Sequence, residues 1–309
     1  MRPLISRRWL TASTLCLLMS SLPVMAQTAA VRVSSKIDTE GSLLGNMIIQ
    51  ALEAQGIKTE NKVQLGTTPI LRGAMTASEI DIYPEYTGNG AFLFADEKNP
   101  AWKNAAAGYA LVKKLDADKN NIVWLNPAPA NNTWAIALRK DVAEKNKVAS
   151  LADLGPWLSR GGQFKLAASA EFIERSDALP AFQTAYGFKL NNAQLLTLAG
   201  GDTTATIKAA AQQTSGVNAA MVYGTDGAIA ALGLVVLQDP QGIQPVYAPA
   251  ALVRAATLAQ QPKIKTILEP IFQTLTGPTL QALNAKIAVE GQDAKKVSAD
   301  YLRAKGFIK

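Results

Sequence analysis

Short runs with strand character and longer runs of helical period alternate from residue 31 onward, and this alternation restricts the fold more than any other feature of the chain. Strand and helix in strict succession build sheets covered by helices, so the class is α/β. Val31-Arg32-Val33 opens as a strand. Leu43, Leu44, Met47, Ile48, Ala51 and Leu52 then recur at helical spacing, with Gly56 as the stop. Lys62-Val63-Gln64-Leu65 reads as a second strand, Thr68 to Thr76 as a helix opened by Pro69, and Ile80 to Tyr83 as a third strand. A helix from about Ala101 to Asp116 and a strand from Ile122 to Leu125 follow. Trp134 to Leu138, Phe164 to Ala168, Asn218 to Val222 and Leu234 to Leu237 read as strands of a second sheet, separated by helices near 150–158, 178–186, 203–213 and 225–231. Val246 to Val253 looks extended, and 262–305 is nearly all helical.

Two stretches rich in turn residues, Asn126 to Asn132 and Asp239-Pro240-Gln241-Gly242 with Pro245, interrupt the alternation and read as crossovers between two lobes. The expected division is 27–131 plus 243–309 for lobe 1 and 132–242 for lobe 2, with the last helices returning to the first lobe. Length agrees, because a chain of this size splits its core rather than enlarging it.

Residues 1–26 read as a secretory signal. Arg2, Arg7 and Arg8 precede an apolar run from Trp9 to Leu22, which ends in Val24-Met25-Ala26, so cleavage is expected before Gln27 and the mature chain is expected in the periplasm. Cys16 lies inside this leader, with Leu15 where a lipoprotein signal places Gly or Ala, which argues against lipid attachment. The remaining residues hold no cysteine, and the chain has no histidine anywhere. An exported chain without thiols must stand on its hydrophobic core alone. The same two gaps remove the commonest zinc and copper ligands and the Ser-His and Cys-His catalytic pairs, so neither a metal nor another cofactor is expected. Without the three leader arginines, 28 basic residues face 24 acidic ones, and a net charge of +4 does not point to nucleic acid.

Aromatic residues make up only 6% of the chain, and four of them fall beside turns at the ends of strands. Tyr86 stands in Glu85-Tyr86-Thr87-Gly88-Asn89-Gly90, Trp134 follows Asn131-Asn132-Thr133, Tyr223 opens Tyr223-Gly224-Thr225-Asp226-Gly227, and Tyr247 follows Gln244-Pro245-Val246. Ligands of open α/β sheets bind outside the carboxyl ends of the strands. Two rings from each lobe can there enclose a cation that has no N–H to donate, such as a quaternary ammonium, each face contributing about 0.5–2 kcal/mol. Gly200-Gly201-Asp202-Thr203, ahead of a helical run, reads as a capped turn.

On Ser35-Lys36-Ile37-Asp38-Thr39-Glu40, Ile82-Tyr83-Pro84-Glu85-Tyr86-Thr87-Gly88, Lys165 to Arg175 and Met221 to Gly227, the chain resembles the ProX/OpuC-type family, the periplasmic glycine-betaine and osmoprotectant-binding subunits of ABC importers. The resemblance covers essentially all of 30–309. It implies a two-lobed periplasmic binding protein fold of type II, each lobe a mixed, mainly parallel sheet flanked by helices. It also implies a monomer that delivers its ligand to an ABC transporter permease. Matched motif by motif, the aromatic box is Tyr86, Trp134, Tyr223 and Tyr247, and the ligand carboxylate falls to Arg175 and Lys36 with Asn89. Trp134 stands where the family commonly has Tyr, and Asn89 where relatives often carry Thr. Two other readings stay open on the residues: a binding protein for another small zwitterion or amino acid, and a periplasmic hydrolase using Glu85 and Asp226.

Overall fold

The computed structural model describes residues 29–198 and 203–309. The leader with Cys16 and the Gly200-Gly201-Asp202 turn lie outside the described residues. Ten strands, β1 Val31–Lys36, β2 Thr59–Gly66, β3 Ile82–Tyr86, β4 Ile122–Trp124, β5 Trp134–Arg139, β6 Leu166–Ser169, β7 Leu195–Leu198, β8 Ala219–Tyr223, β9 Leu234–Val236 and β10 Pro249–Arg254, form two five-stranded sheets. Their orders are β2-β1-β3-β10-β4 and β7-β6-β8-β5-β9. In each sheet one strand runs against the rest, β10 in the first and β5 in the second. Both odd strands follow a passage from one sheet to the other, so the chain crosses between β4 and β5 and returns between β9 and β10.

Each sheet is buried on both faces, as parallel strands require. Alternate residues serve the two sides. Val31, Val33, Ile82, Ala251 and Val253 face the helices Thr39–Ala54, Lys263–Gln273, Gly277–Ala288 and Ala294–Ala304. Tyr83, Ile122, Trp124, Ala250 and Leu252 face Leu71 and Met75 of helix Thr68–Thr76 and Val112 of helix Ala105–Asn120. In the second sheet Ile136, Leu138, Leu166 and Met221 pack with Phe172, Phe182 and Trp157, while Ala137, Ala167, Ala220 and Val222 take Ile207 and Ile229 on the opposite side. Small alanines on that side let helix Thr203–Ala211 lie close.

The first helix starts where Asp38 caps it, its carboxylate accepting the Gly41 N–H at 2.6 Å, and stops at Gly56, whose φ is +77°. The helix expected at 101–116 divides into a single turn at Pro100–Lys103 and a helix at Ala105–Asn120, because Asn104 caps a fresh start by accepting from the Ala107 N–H. Strand β7 and the short helices Asn89–Leu93, Lys140–Asn146 and Ala170–Glu174 have no counterpart in the sequence reading. β7 is an edge strand of four residues whose Leu-Leu-Thr-Leu lacks alternation, and the helices are too short to show a period. No helix among the described residues is long and apolar enough to cross a membrane.

Candidate functional site

The carboxyl ends of the parallel strands of both sheets, together with the starting ends of the two antiparallel strands, meet at one cleft. That geometry explains why four aromatics at superficially different strand ends converge. Tyr86 closes β3 and Tyr223 closes β8, whereas Trp134 opens β5 and Tyr247 stands just before β10. Trp134 pairs with Tyr223 across the β5–β8 ladder, so their rings lie 6.4 Å apart and nearly parallel, at 17°. The Tyr247 ring lies 6.4 Å from that of Trp134 at 49°. Its backbone is tied to the crossover segment, the N–H donating to Asn131 Oδ1 at 2.8 Å and the carbonyl accepting from the Asn132 N–H at 2.9 Å. Gly88 makes room for it: a Cβ at that position would fall 2.9 Å from the Tyr247 ring.

Tyr86, Trp134, Tyr223, Tyr247, Lys36, Arg175 and Asn89 all line one cavity of about 210 Å³. Ile37, Asp38, Phe92, Asn132 and Glu171, which sequence reasoning missed, line it too. The basic groups lie on the rings. Lys36 Nζ is 4.7 Å from the Tyr86 centroid, and the Arg175 guanidinium carbon is 4.5 Å from that of Trp134 and 5.1 Å from that of Phe92. Each is held by carboxylates. Arg175 donates through Nε and an η nitrogen to both oxygens of Asp177, at 2.8 and 2.7 Å, and through the other η nitrogen to Glu171 at 2.9 Å. Burial opposes its charge, but the bond and charge of Asp177 prevail and raise its pKa. Of its five N–H donors, two remain for a ligand.

Lys36 Nζ is 2.7 Å from Glu85 Oε1, and Glu85 is fully buried. The same carboxylate accepts from Asn89 Nδ2 at 2.7 Å, the Tyr86 N–H at 2.8 Å and the Tyr83 hydroxyl at 3.3 Å. Glu85 is therefore a brace for Lys36 and Asn89. Neither it nor Asp226 lines the cavity, so the pair assembles no acid–base site there. Trp134 Nε1 and the Tyr247 hydroxyl are buried without a hydrogen-bond partner among the described residues.

Asp38 and Asn132 were legible in kind but not in role, since an N-cap Asp and a loop Asn are ordinary turn chemistry. Glu171 stands four residues before Arg175, a spacing that signals a helical ion pair rather than a cavity wall.

Two α/β lobes joined by two crossings, with a cavity walled by side chains from both, define a solute-binding protein of the periplasmic type. A family model described as the substrate binding domain of ABC-type glycine betaine transport systems matches residues 29–304, and the chain belongs to this family. It is 67% identical over 289 residues to the glycine betaine-binding protein YehZ of Escherichia coli K12, with 94% of each chain covered. It is 32% identical to a glycine-betaine-binding protein of Pseudomonas aeruginosa, covering 90% of this chain and 89% of that one. Among solved structures, apo YehZ from E. coli is 68% identical and superposes with a TM-score of 0.73, covering 90% of this chain and 99% of that one. The chain is a transport protein and not an enzyme.

Proposed function

We propose that the cavity takes glycine betaine or a closely related quaternary-ammonium zwitterion, the methylated ammonium lying against Tyr86, Trp134, Tyr223 and Tyr247 and the carboxylate turned toward Lys36, Arg175 and Asn89. The observation that carries this reading is that four rings and three polar or cationic groups, drawn from both sheets, line the same small cavity. A trimethylammonium group offers no N–H, so acceptors have little hold on it, whereas π faces attract its diffuse positive surface at about 0.5–2 kcal/mol per ring. That these faces suit cations is supported by the positions of Lys36 and Arg175 themselves, at 4.7 and 4.5 Å. The lobes are assigned as 27–131 plus 243–309 and 132–242. The leader is cut before Gln27, and the mature protein works in the periplasm as a monomer and hands its ligand to an ABC permease.

An unmethylated amino acid is the reading that Asp38 and Glu171 favour, since both carboxylates line the cavity. Each already has a partner, Asp38 in the Gly41 N–H and Glu171 in Arg175, so each would meet a substrate ammonium with one oxygen engaged. Calorimetric titration of refolded, ligand-stripped protein with glycine betaine, proline betaine, choline and glycine separates the two. Binding of the methylated ligands and none of glycine is expected; equal binding across the set, or none, rejects the quaternary-ammonium cavity. Replacing Trp134 by Ala is expected to weaken betaine binding by about tenfold, the equivalent of one cation–π face.

A further inference from the structure

Behind the Tyr86 ring lies a carboxyl group that does not itself line the cavity, braces two residues that do, and has no cationic partner among the described residues. Glu40, in the first turn of helix Thr39–Ala54, is 5% exposed. Its Oε1 accepts from the Tyr86 hydroxyl at 2.9 Å and from Asn132 Nδ2 at 3.2 Å, and its Oε2 from Asn284 Nδ2 at 2.7 Å. Asn284 Nδ2 also donates to the Thr225 carbonyl at 3.0 Å. These partners come from β3, from the crossing between the sheets, from helix Gly277–Ala288 and from the loop that follows β8. One buried carboxyl thus joins a ring of the cavity, the crossing segment and, through Asn284, the second lobe.

A buried carboxylate with no counterion is costly, and here only the helix N-terminus and neutral donors offset it. Burial pushes its pKa up, against the bonds from Asn284 and Tyr86, and the charge of Asp38 on the cap of its own helix pushes the same way. From the second lobe the facing titratable group is Asp226, whose carboxyl feels the charge of Glu40. Thr225, Asn132 and Asn284 are neutral, and the Tyr86 hydroxyl, buried beside Glu40, is held well above its ordinary range.

We propose that Glu40 is a positioning residue for ligand capture: it fixes the Tyr86 ring through the hydroxyl and, through Asn284, seats the Thr225 loop of the second lobe, so that orientation of the ring and closure of the lobes form one coupled unit. The clause concerning Tyr86 rests on the quaternary-ammonium reading of the cavity; the clause concerning closure does not. When the lobes part, Thr225 leaves and water reaches Glu40, so its pKa falls toward the ordinary carboxylate value. The closed form then holds the proton more firmly, and closure is favoured as pH falls.

The test uses the full mature chain with Glu40→Gln, Glu40→Ala and Tyr86→Phe, and the double variant Glu40→Gln/Tyr86→Phe. Loosening the Tyr86–Glu40 hydrogen bond leads to an expected loss of about tenfold in glycine betaine affinity for each single variant. The double variant is expected to be no weaker than the worse single, because both remove the same link. Ligand-free Glu40→Ala is expected to show a larger radius of gyration by small-angle scattering than wild type, and wild type a smaller radius at pH 5 than at pH 8, a change that Glu40→Gln diminishes. Additive losses in the double variant, or betaine binding by Glu40→Gln equal to wild type, would overturn the ring-positioning role. Unchanged scattering would overturn the closure role. If wild type binds no methylated ammonium while scattering still responds to Glu40, the ligand reading fails and the coupling of Glu40 to closure stands.

Discussion

Asp226 stands three residues past the end of β8 with one oxygen accepting the Tyr223 N–H at 2.7 Å, which shapes the turn that presents the Tyr223 ring. Burial pushes its pKa up to about 7 from an ordinary 3.8. Bonds from Thr203 and the Tyr223 N–H pull it down, and the charges of Glu40 and Asp38 push it further up. The folded chain therefore keeps a proton on Asp226 in the window between those values, where the unfolded chain has released it. Stability from this group is highest near pH 4, falls as pH rises toward 7 and is level above. Asp226→Asn keeps an acceptor for the turn and abolishes the titration. The variant is expected to gain about 2–3 kcal/mol over wild type between pH 5 and pH 7.5, read from urea denaturation at each pH; parallel profiles would refute the assignment. At this scale the rings were readable in the sequence because aromatics beside turns stand out in a chain where they are scarce. Arg175, Lys36 and Asn89 were found only through family resemblance, since nothing in spacing separates them from solvated side chains. Glu40, Asp38 and Glu171 were hidden because an acid in a first turn, at an N-cap or four residues from an arginine already has an ordinary local explanation.

Between elements, one polar joint away from the cleft is Asp116, fully buried on helix Ala105–Asn120. It accepts from Arg72 of helix Thr68–Thr76, from Trp124 Nε1 of β4 at 2.6 Å and from Asn120 at 2.8 Å. It thereby pins two helices and an edge strand on the side of the sheet where Tyr83 and Leu252 lie. Asp116→Ala leaves the largely buried guanidinium of Arg72 unpaired and is expected to cost about 3–5 kcal/mol. Replacing both residues by apolar ones, Arg72→Met with Asp116→Leu, is expected to recover most of that loss, with betaine affinity of the folded protein unchanged in each case because neither residue lines the cavity. Equal destabilisation by the single and the double change would show that packing, not the stranded charge, sets the cost. Elements with a clear period were placed within a few residues by sequence alone. What sequence did not reveal was direction: nothing in Trp134-Ala135-Ile136-Ala137-Leu138 says that β5 runs against its neighbours, yet that reversal is what brings Trp134 to the same edge as Tyr223.

Across the whole molecule, the two turn-rich stretches foretold two lobes but not how they meet. The meeting is close enough to be set by a single hydrogen atom. Gly227, just past β8, has φ −70° and ψ −23°, values open to any residue, so its own backbone does not require glycine. Helix Gly277–Ala288 does: a Cβ on Gly227 would lie 2.2 Å from the Ala285 nitrogen and 2.3 Å from the Gln281 carbonyl oxygen. Those atoms are main chain and cannot swing aside, and Gln281 Nε2 donates to the Gly224 carbonyl at 2.9 Å beside them, which marks the contact as a fitted seat. Neither Gly227 nor the facing helix lines the cavity, so a side chain placed there alters closure without altering what the ligand touches. Gly227→Val is expected to fold with a ligand-free melting temperature near that of wild type, because each lobe keeps its own core. It is also expected to bind glycine betaine at least about tenfold more weakly, because rings from one lobe alone supply only part of the cation–π contact, and to show no contraction on adding ligand. Wild-type affinity in this variant, with contraction retained, would mean that the lobes grip their ligand in a different relative position from the one in which Gly227 meets Ala285.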